Sequence, residues 1–255
     1  MIKRGQVSLF AIIAIVVLIL VGLGLYFRND IRDFLYEQQI LSSAAVPQEV
    51  ESVNSFVLDC VRQASEESLS FVGAYGGYYD VTKRANKNDR GIPYYLMGDK
   101  LLVPSKKIIE QSLAAYVNEN LKLCTNGFSE FNNSFRVVQG SVTSKVTINP
   151  GKVNFNVKYP LKLTKGANQY DLKFFNSDVD NNLDKVYNAT VVLFNQQANY
   201  KDLCLTCVYN VATVNNLTIE VYNPEYGEVE YTFVDDNLKI LGNQSFNFVI
   251  AARLG

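Results

Sequence analysis

Residues 141–163 read SVTSKVTINPGKVNFNVKYPLKL, and they decide the character of the second half of the chain. Val153, Phe155, Val157, Tyr159, Leu161 and Leu163 alternate with mostly polar residues. That period of two sends one face of a strand into a core and the other into water. Asn149-Pro150-Gly151 supplies the turn, because proline presets its own φ and glycine tolerates a positive one. The stretch predicts a hairpin, and its half-alternating strands predict antiparallel sheet with one wet face.

Toward the C-terminus, YDLKFF (170–175) predicts another strand. Leu183, Val186, Tyr187, Thr190, Val191 and Phe194 then recur at helical spacing. From Val208 onward strands are expected again, in LTIEVY, EVEYTFV and FNFVIAARL, with a turn at Asp235-Asp236-Asn237. Toward the N-terminus the texture changes near Asn126. Ser105 can cap a helix on which Ile109, Leu113, Tyr116, Val117 and Leu121 share a face. Pro47 suits the first turn of an earlier helix marked by Val50, Val53, Val57, Cys60, Val61 and Ala64 and ended by Gly73. Between these helices GGYYDV and IPYYLM predict two short strands joined by the polar loop TKRANKNDRG.

The chain opens MIKRGQVSLFAIIAIVVLILVGLGLYFRND, with no charge from Val7 to Phe27. As a helix that segment spans roughly 30 Å, the thickness of a bilayer's hydrocarbon core. It is longer than the apolar region of a cleavable secretory signal, about 7–15 residues. Phe27, Ile31, Phe34, Leu35, Gln38 and Leu41 continue the helical spacing beyond it. The expected fold class is therefore α+β: a long N-terminal transmembrane helix, a small helix-hairpin-helix unit, then a mostly antiparallel β region with one helix. The expected portions are 1–46 (membrane anchor and extended helix), 47–125 (helix-hairpin-helix) and 126–255 (β-rich domain). Lys3 and Arg4 before the span tie with Arg28 and Arg32 after it. The N-terminal amine, with Asp30 and Asp33 beyond the span, tips the balance to a cytoplasmic N-terminus and an extracellular body.

Lys3-Arg4-Gly5-Gln6, followed at once by the apolar run, resembles the class III signal peptide of archaeal type IV pilins and related surface proteins. The resemblance covers about the first tenth of the chain. It implies cleavage between Gly5 and Gln6, with the apolar segment kept on the mature chain as a helix. Many pilins carry glutamate at the fifth mature position, where this chain has Phe10, so filament assembly does not follow from the resemblance. The expected function is a membrane-anchored, pilin-like surface protein with a structural or adhesive role. The alternative is an anchored extracellular binding domain that does not assemble.

The net charge of −1 over 255 residues gives no electrostatic case for nucleic acid. Histidine is absent, which removes Ser-His-Asp and Cys-His nucleophile systems and histidine metal ligands. Carboxylate and lysine chemistry stays open, but no catalytic residue, metal or cofactor is assigned and no enzyme is expected. The expected partners are membrane lipid, copies of the chain, and envelope proteins or glycans.

Four cysteines, Cys60, Cys124, Cys204 and Cys207, fit two disulfides in an oxidising compartment. Of three possible pairings, Cys60–Cys124 with Cys204–Cys207 is favoured, since the first two fall on helices that can pack together. A redox dithiol would place CLTC at a helix N-terminus, whereas a loop before a strand is expected there. A four-cysteine zinc site would bring two close pairs, and Cys60 and Cys124 are lone. Sequons occur at Asn132, Asn188, Asn216 and Asn243. DVDNNLD (178–184) fails the EF-hand template at Leu183 and Ala189 and reads as a loop capping the next helix. Tyr75, Tyr78, Tyr79, Tyr94 and Tyr95 concentrate around the expected hairpin, where tyrosines either pack across strands or form a contact face.

Overall fold

The structure is a computed structural model that describes residues 46–240 and 244–255, together with position 14. Helix α1, Glu51–Ala74, buries Val53, Val57, Cys60, Val61, Ala64, Leu69 and Val72 on one face. Its other face is charged: Arg62 lies 3.7 Å from both Asp59 and Glu66, one helical turn away on either side. The short helix α2, Val81–Arg84, follows a left-handed turn at Gly76 and Gly77. Strands β1, Tyr94–Met97, and β2, Lys100–Leu101, precede helix α3, Lys106–Thr125, which buries Ile109, Leu113, Val117 and Leu121.

Then come β3 (Arg136–Gln139), β4 (Thr143–Asn149), β5 (Lys152–Lys165) and β6 (Asn168–Asp180). The hairpin read from 141–163 forms with Ile148 opposite Val153 and Val146 opposite Phe155. Gly151 takes φ +79°, the conformation its place in the turn requires. All six alternating apolar residues of β5 are buried. β5 is the centre of a four-stranded sheet, with β3 and β4 along one edge and β6 along the other. Pro160 has no N–H for the ladder. It falls where the β5–β6 register shifts, and on the other edge its carbonyl accepts from Gly140 N between β3 and β4.

Helices α4, Leu183–Gln197, and α5, Leu205–Asn215, lead into β7 (Thr218–Glu225), β8 (Glu228–Ile240) and β9 (Gln244–Arg253). These strands form a second sheet in the order β2-β1-β9-β8-β7, with β1 parallel to β9. α1 packs on α3 and touches both β6 of one sheet and β9 of the other. At Gly73 a Cβ would run into the Asn247 carbonyl of β9, so only glycine allows this approach. Phe194 of α4 meets Tyr95 and Tyr231 of the second sheet edge-on, at 5.7 and 5.4 Å.

The class α+β stands in its coarse sense, but the expected architecture is corrected in five respects. Among the described residues no helix is long and apolar enough to cross a membrane. The segment expected to span, with the rest of 1–45 apart from position 14, lies outside the described residues. GGYYDV is a turn and the start of α2, because Asp80 caps Lys83 N (3.2 Å) and draws the chain into a helix. No separate helix-hairpin-helix unit exists: β1 joins the C-terminal sheet, and Glu49–Gly255 forms one compact unit. The β-rich half holds two helices, since Val208 and Val211 bury their side chains in α5, and packing overrides β-branched propensity. The expected turn at Asp235-Asp236-Asn237 is strand as well; β8 runs through it with an irregular register.

Candidate functional site

The end of α1 brings Phe71 and Tyr75 onto one helical stripe, and Tyr79 follows the Gly76-Gly77 turn. Tyr116 of α3 closes the group. Phe71 lies 4.9 Å from Tyr75, 5.8 Å from Tyr79 and 5.3 Å from Tyr116, and Tyr79 lies 5.7 Å from Tyr116. Phe71 remains 37% exposed, so the cluster faces solvent rather than the core. The Tyr79 hydroxyl donates to Glu119 at 2.7 Å, and that bond, with partial burial, raises its pKa. Burial, with Glu67 nearby, raises that of Tyr116.

Phe71, Tyr75 and Tyr79 line an open groove of about 700 Å³. Its opposite side is the segment from Asp80 to Gly91, with Lys83, Arg84, Lys87, Asp89 and Arg90. Lys83 pairs with Asp80 at 2.8 Å, which lowers the pKa of the carboxyl and raises that of the ammonium. Arg90 leaves the groove to reach Glu230 on β8 at 2.7 Å. Asn88 donates to the other Glu230 oxygen at 2.6 Å and accepts from Ile92 N at 2.9 Å. Glu230 is 4% exposed, so its carboxylate depends on these two donors, and the three residues tie the loop to the sheet.

Arg90 also lines a second open groove, of about 690 Å³, over β7, β8 and β9. Glu220, Tyr222, Thr232, Asn247 and Val249 line it too. The Arg90 guanidinium stands over the Tyr222 ring at 5.4 Å.

The five tyrosines singled out from the sequence separate. Tyr75 and Tyr79 line the first groove. Tyr78, Tyr94 and Tyr95 are buried. The Tyr95 hydroxyl donates to Gly76 O at 2.9 Å and holds the left-handed turn. The Tyr94 hydroxyl donates to Glu228 and accepts from Arg253, each at 2.8 Å. Burial first, then the Glu228 carboxylate, pushes its pKa up to about 12. Phe71, Glu119, Arg90 and Tyr222 are the groove residues that sequence reading missed. The four-residue steps Phe71, Tyr75, Tyr79 were a readable signal; Arg90 and Tyr222 meet only through the fold.

Disulfides join Cys60 to Cys124 and Cys204 to Cys207, the favoured pairing. The setting of CLTC differs from expectation. Cys204 is the N-cap of α5, and its sulfur accepts from Cys207 N at 3.2 Å. Both cysteines are buried. In DVDNNLD, the Asn181 side chain accepts from Leu183 N at 2.8 Å, and Asp184 pairs with Lys106. Among the described residues no group of three metal-ligating side chains converges. Asn132, Asn188 and Asn216 are exposed, but Thr190 of the second sequon is buried and bonded to Val186 O. Asn243, Gly5 and Gln6 lie outside the described residues.

No protein family, curated protein or solved structure matches this chain. The groove must be read from its own chemistry. Partly exposed rings, carboxylates and cations in an open trough can hold an extended ligand by stacking and hydrogen bonds.

Proposed function

We propose that this is an exported surface protein, pilin-like at its N-terminus, with an adhesive or structural role exerted through the aromatic groove. It is held at the cell membrane by the uncharged sequence of residues 7–27, with the short basic tail inside and the body outside. The observation that carries the reading is the pair of disulfides, Cys60–Cys124 and Cys204–Cys207, in a chain that opens on such an apolar segment. Disulfides persist in oxidising compartments, so the body belongs outside the cytosol. The role is mechanical: a crosslinked, strand-rich body presents rings and polar groups to another surface. Phe10 at the fifth mature position favours a second reading, an anchored binding domain that does not assemble.

Mass spectrometry of the native protein, together with protease treatment of intact cells, tests this. The expected result is a mature N-terminus at Gln6, two disulfides and a body digested from outside. A chain recovered uncut from cytosol with four free thiols would sink the reading. Fibres that contain the chain and vanish with Gly5→Val would favour assembly; monomers in detergent would favour the lone binder.

A further inference from the structure

The two grooves meet at one side chain. Arg90 lines both, and its partners Glu230 and Tyr222 belong to the second. We infer that the grooves form one continuous track for a neutral polysaccharide chain, an assignment that rests on the reading of this surface as the contact face.

Three observations support it. First, rings lie in both grooves: Phe71, Tyr75 and Tyr79 in one, and in the other Tyr222, one face of which carries the Arg90 guanidinium. Tyr222 is 55% exposed and Phe71 37%. A pyranose offers C–H groups on its face and hydroxyls around its rim, so a ring takes the face while neighbouring polar groups take the rim. Second, both kinds of rim partner are present. Asp89, Glu119 and Glu220 accept from hydroxyls; Arg84 and Lys87 donate to them. Third, the charges nearly cancel. Asp80 is paired with Lys83 and Glu230 with Arg90, and the remaining three carboxylates face two cations. A track without positive excess holds no polyanion by long-range attraction, which sets aside nucleic acids and polyuronates. Both grooves are open troughs rather than enclosed pockets, so a chain of several sugars fits where a single small solute would stay mostly wet.

Calorimetric titration of the full chain tests the inference, in a detergent without a sugar headgroup. The probes are glucose, mannose and N-acetylglucosamine oligomers of two and of six units, a hexameric polyuronate, and an extended uncharged peptide. At least one neutral hexamer is expected to bind about tenfold more tightly than its dimer. Tyr75→Ala and Tyr222→Ala are each expected to weaken it about tenfold. Glu220→Ala, an exposed carboxylate outside any buried network, provides a variant that folds even if Tyr222→Ala does not. It should weaken the hexamer several-fold. Absence of binding by every neutral hexamer overturns the inference. So does tighter binding of the polyuronate or the peptide, or hexamer affinity equal to that of the dimer. These results are separable from failure of the surface reading: a protein that resists digestion on intact cells fails that reading whatever it binds in the calorimeter.

Discussion

Glu230 is a carboxylate with almost no water: Asn88 donates to one oxygen at 2.6 Å and Arg90 to the other at 2.7 Å. Asn88 also accepts from Ile92 N, so it holds the loop in shape as well as the charge in place. Asn88→Ala strands both a buried carboxylate oxygen and a backbone donor. It is expected to lower the unfolding free energy by about 2 kcal/mol, measured by urea titration. Gly73 makes a different kind of demand. A methyl at that position meets the Asn247 carbonyl and sits 3.0 Å from the Phe246 ring. Gly73→Ala should cost about 2 kcal/mol or more, because packed backbone cannot retreat; an unchanged midpoint would mean that α1 and β9 can part without cost.

The two disulfides act on elements very differently. Cys60–Cys124 ties α1 to α3 across a sequence separation of 64, whereas Cys204–Cys207 closes a separation of 3 within the first turn of α5. In the chain-entropy view the long loop stabilises by about 4 kcal/mol and the short one by about 2. Replacing Cys60 and Cys124 together by alanine should therefore lower stability about twice as far as replacing Cys204 and Cys207. Equal losses in urea titration would show that the short bridge matters through the cap at Cys204, whose sulfur accepts from Cys207 N. β5 is the element on which its sheet depends, pairing with β3, β4 and β6 along both edges.

Over the whole molecule, β1 is the strand that makes one body of two halves. It comes from the first half of the sequence, yet lies between β2 and β9. A fragment of residues 126–255 leaves β9 with a bare edge and exposes the surfaces that α1 and α3 cover. It is expected to lack a cooperative unfolding transition when produced alone; a sharp transition by circular dichroism would contradict this. Buried tyrosines set an upper pH limit. Tyr94 is raised to about 12, and burial raises Tyr95 and Tyr231 well above their ordinary value. A folded pKa above the unfolded value of about 10 means that the folded state holds its protons longer. The stability so gained is intact below pH 10 and is lost as pH rises from 10 toward 12. Urea titrations at pH 8, 10 and 11 should show it falling only above 10, and less steeply in Tyr94→Phe.

What the sequence determined by itself was local. The alternation Val153 to Leu163 with the Asn149-Pro150-Gly151 turn specified a hairpin, since strand period and turn chemistry are properties of neighbouring residues. The stripes of α1, α3 and α4 were legible for the same reason. Tertiary structure alone decided the remainder. Helical geometry in 205–215 follows from where Val208 and Val211 are buried, not from the preference of valine. The pairing of Tyr94–Met97 with β9 joins residues some 150 positions apart, and no local signal carries that information. The groove follows the same rule. The steps from Phe71 to Tyr79 could be read in advance, but Arg90 reaches Glu230 and Tyr222 only because a loop of the first half folds onto a sheet of the second. Local pattern sets which face of each element is apolar; which faces meet depends on the burial free energy of the whole chain at once.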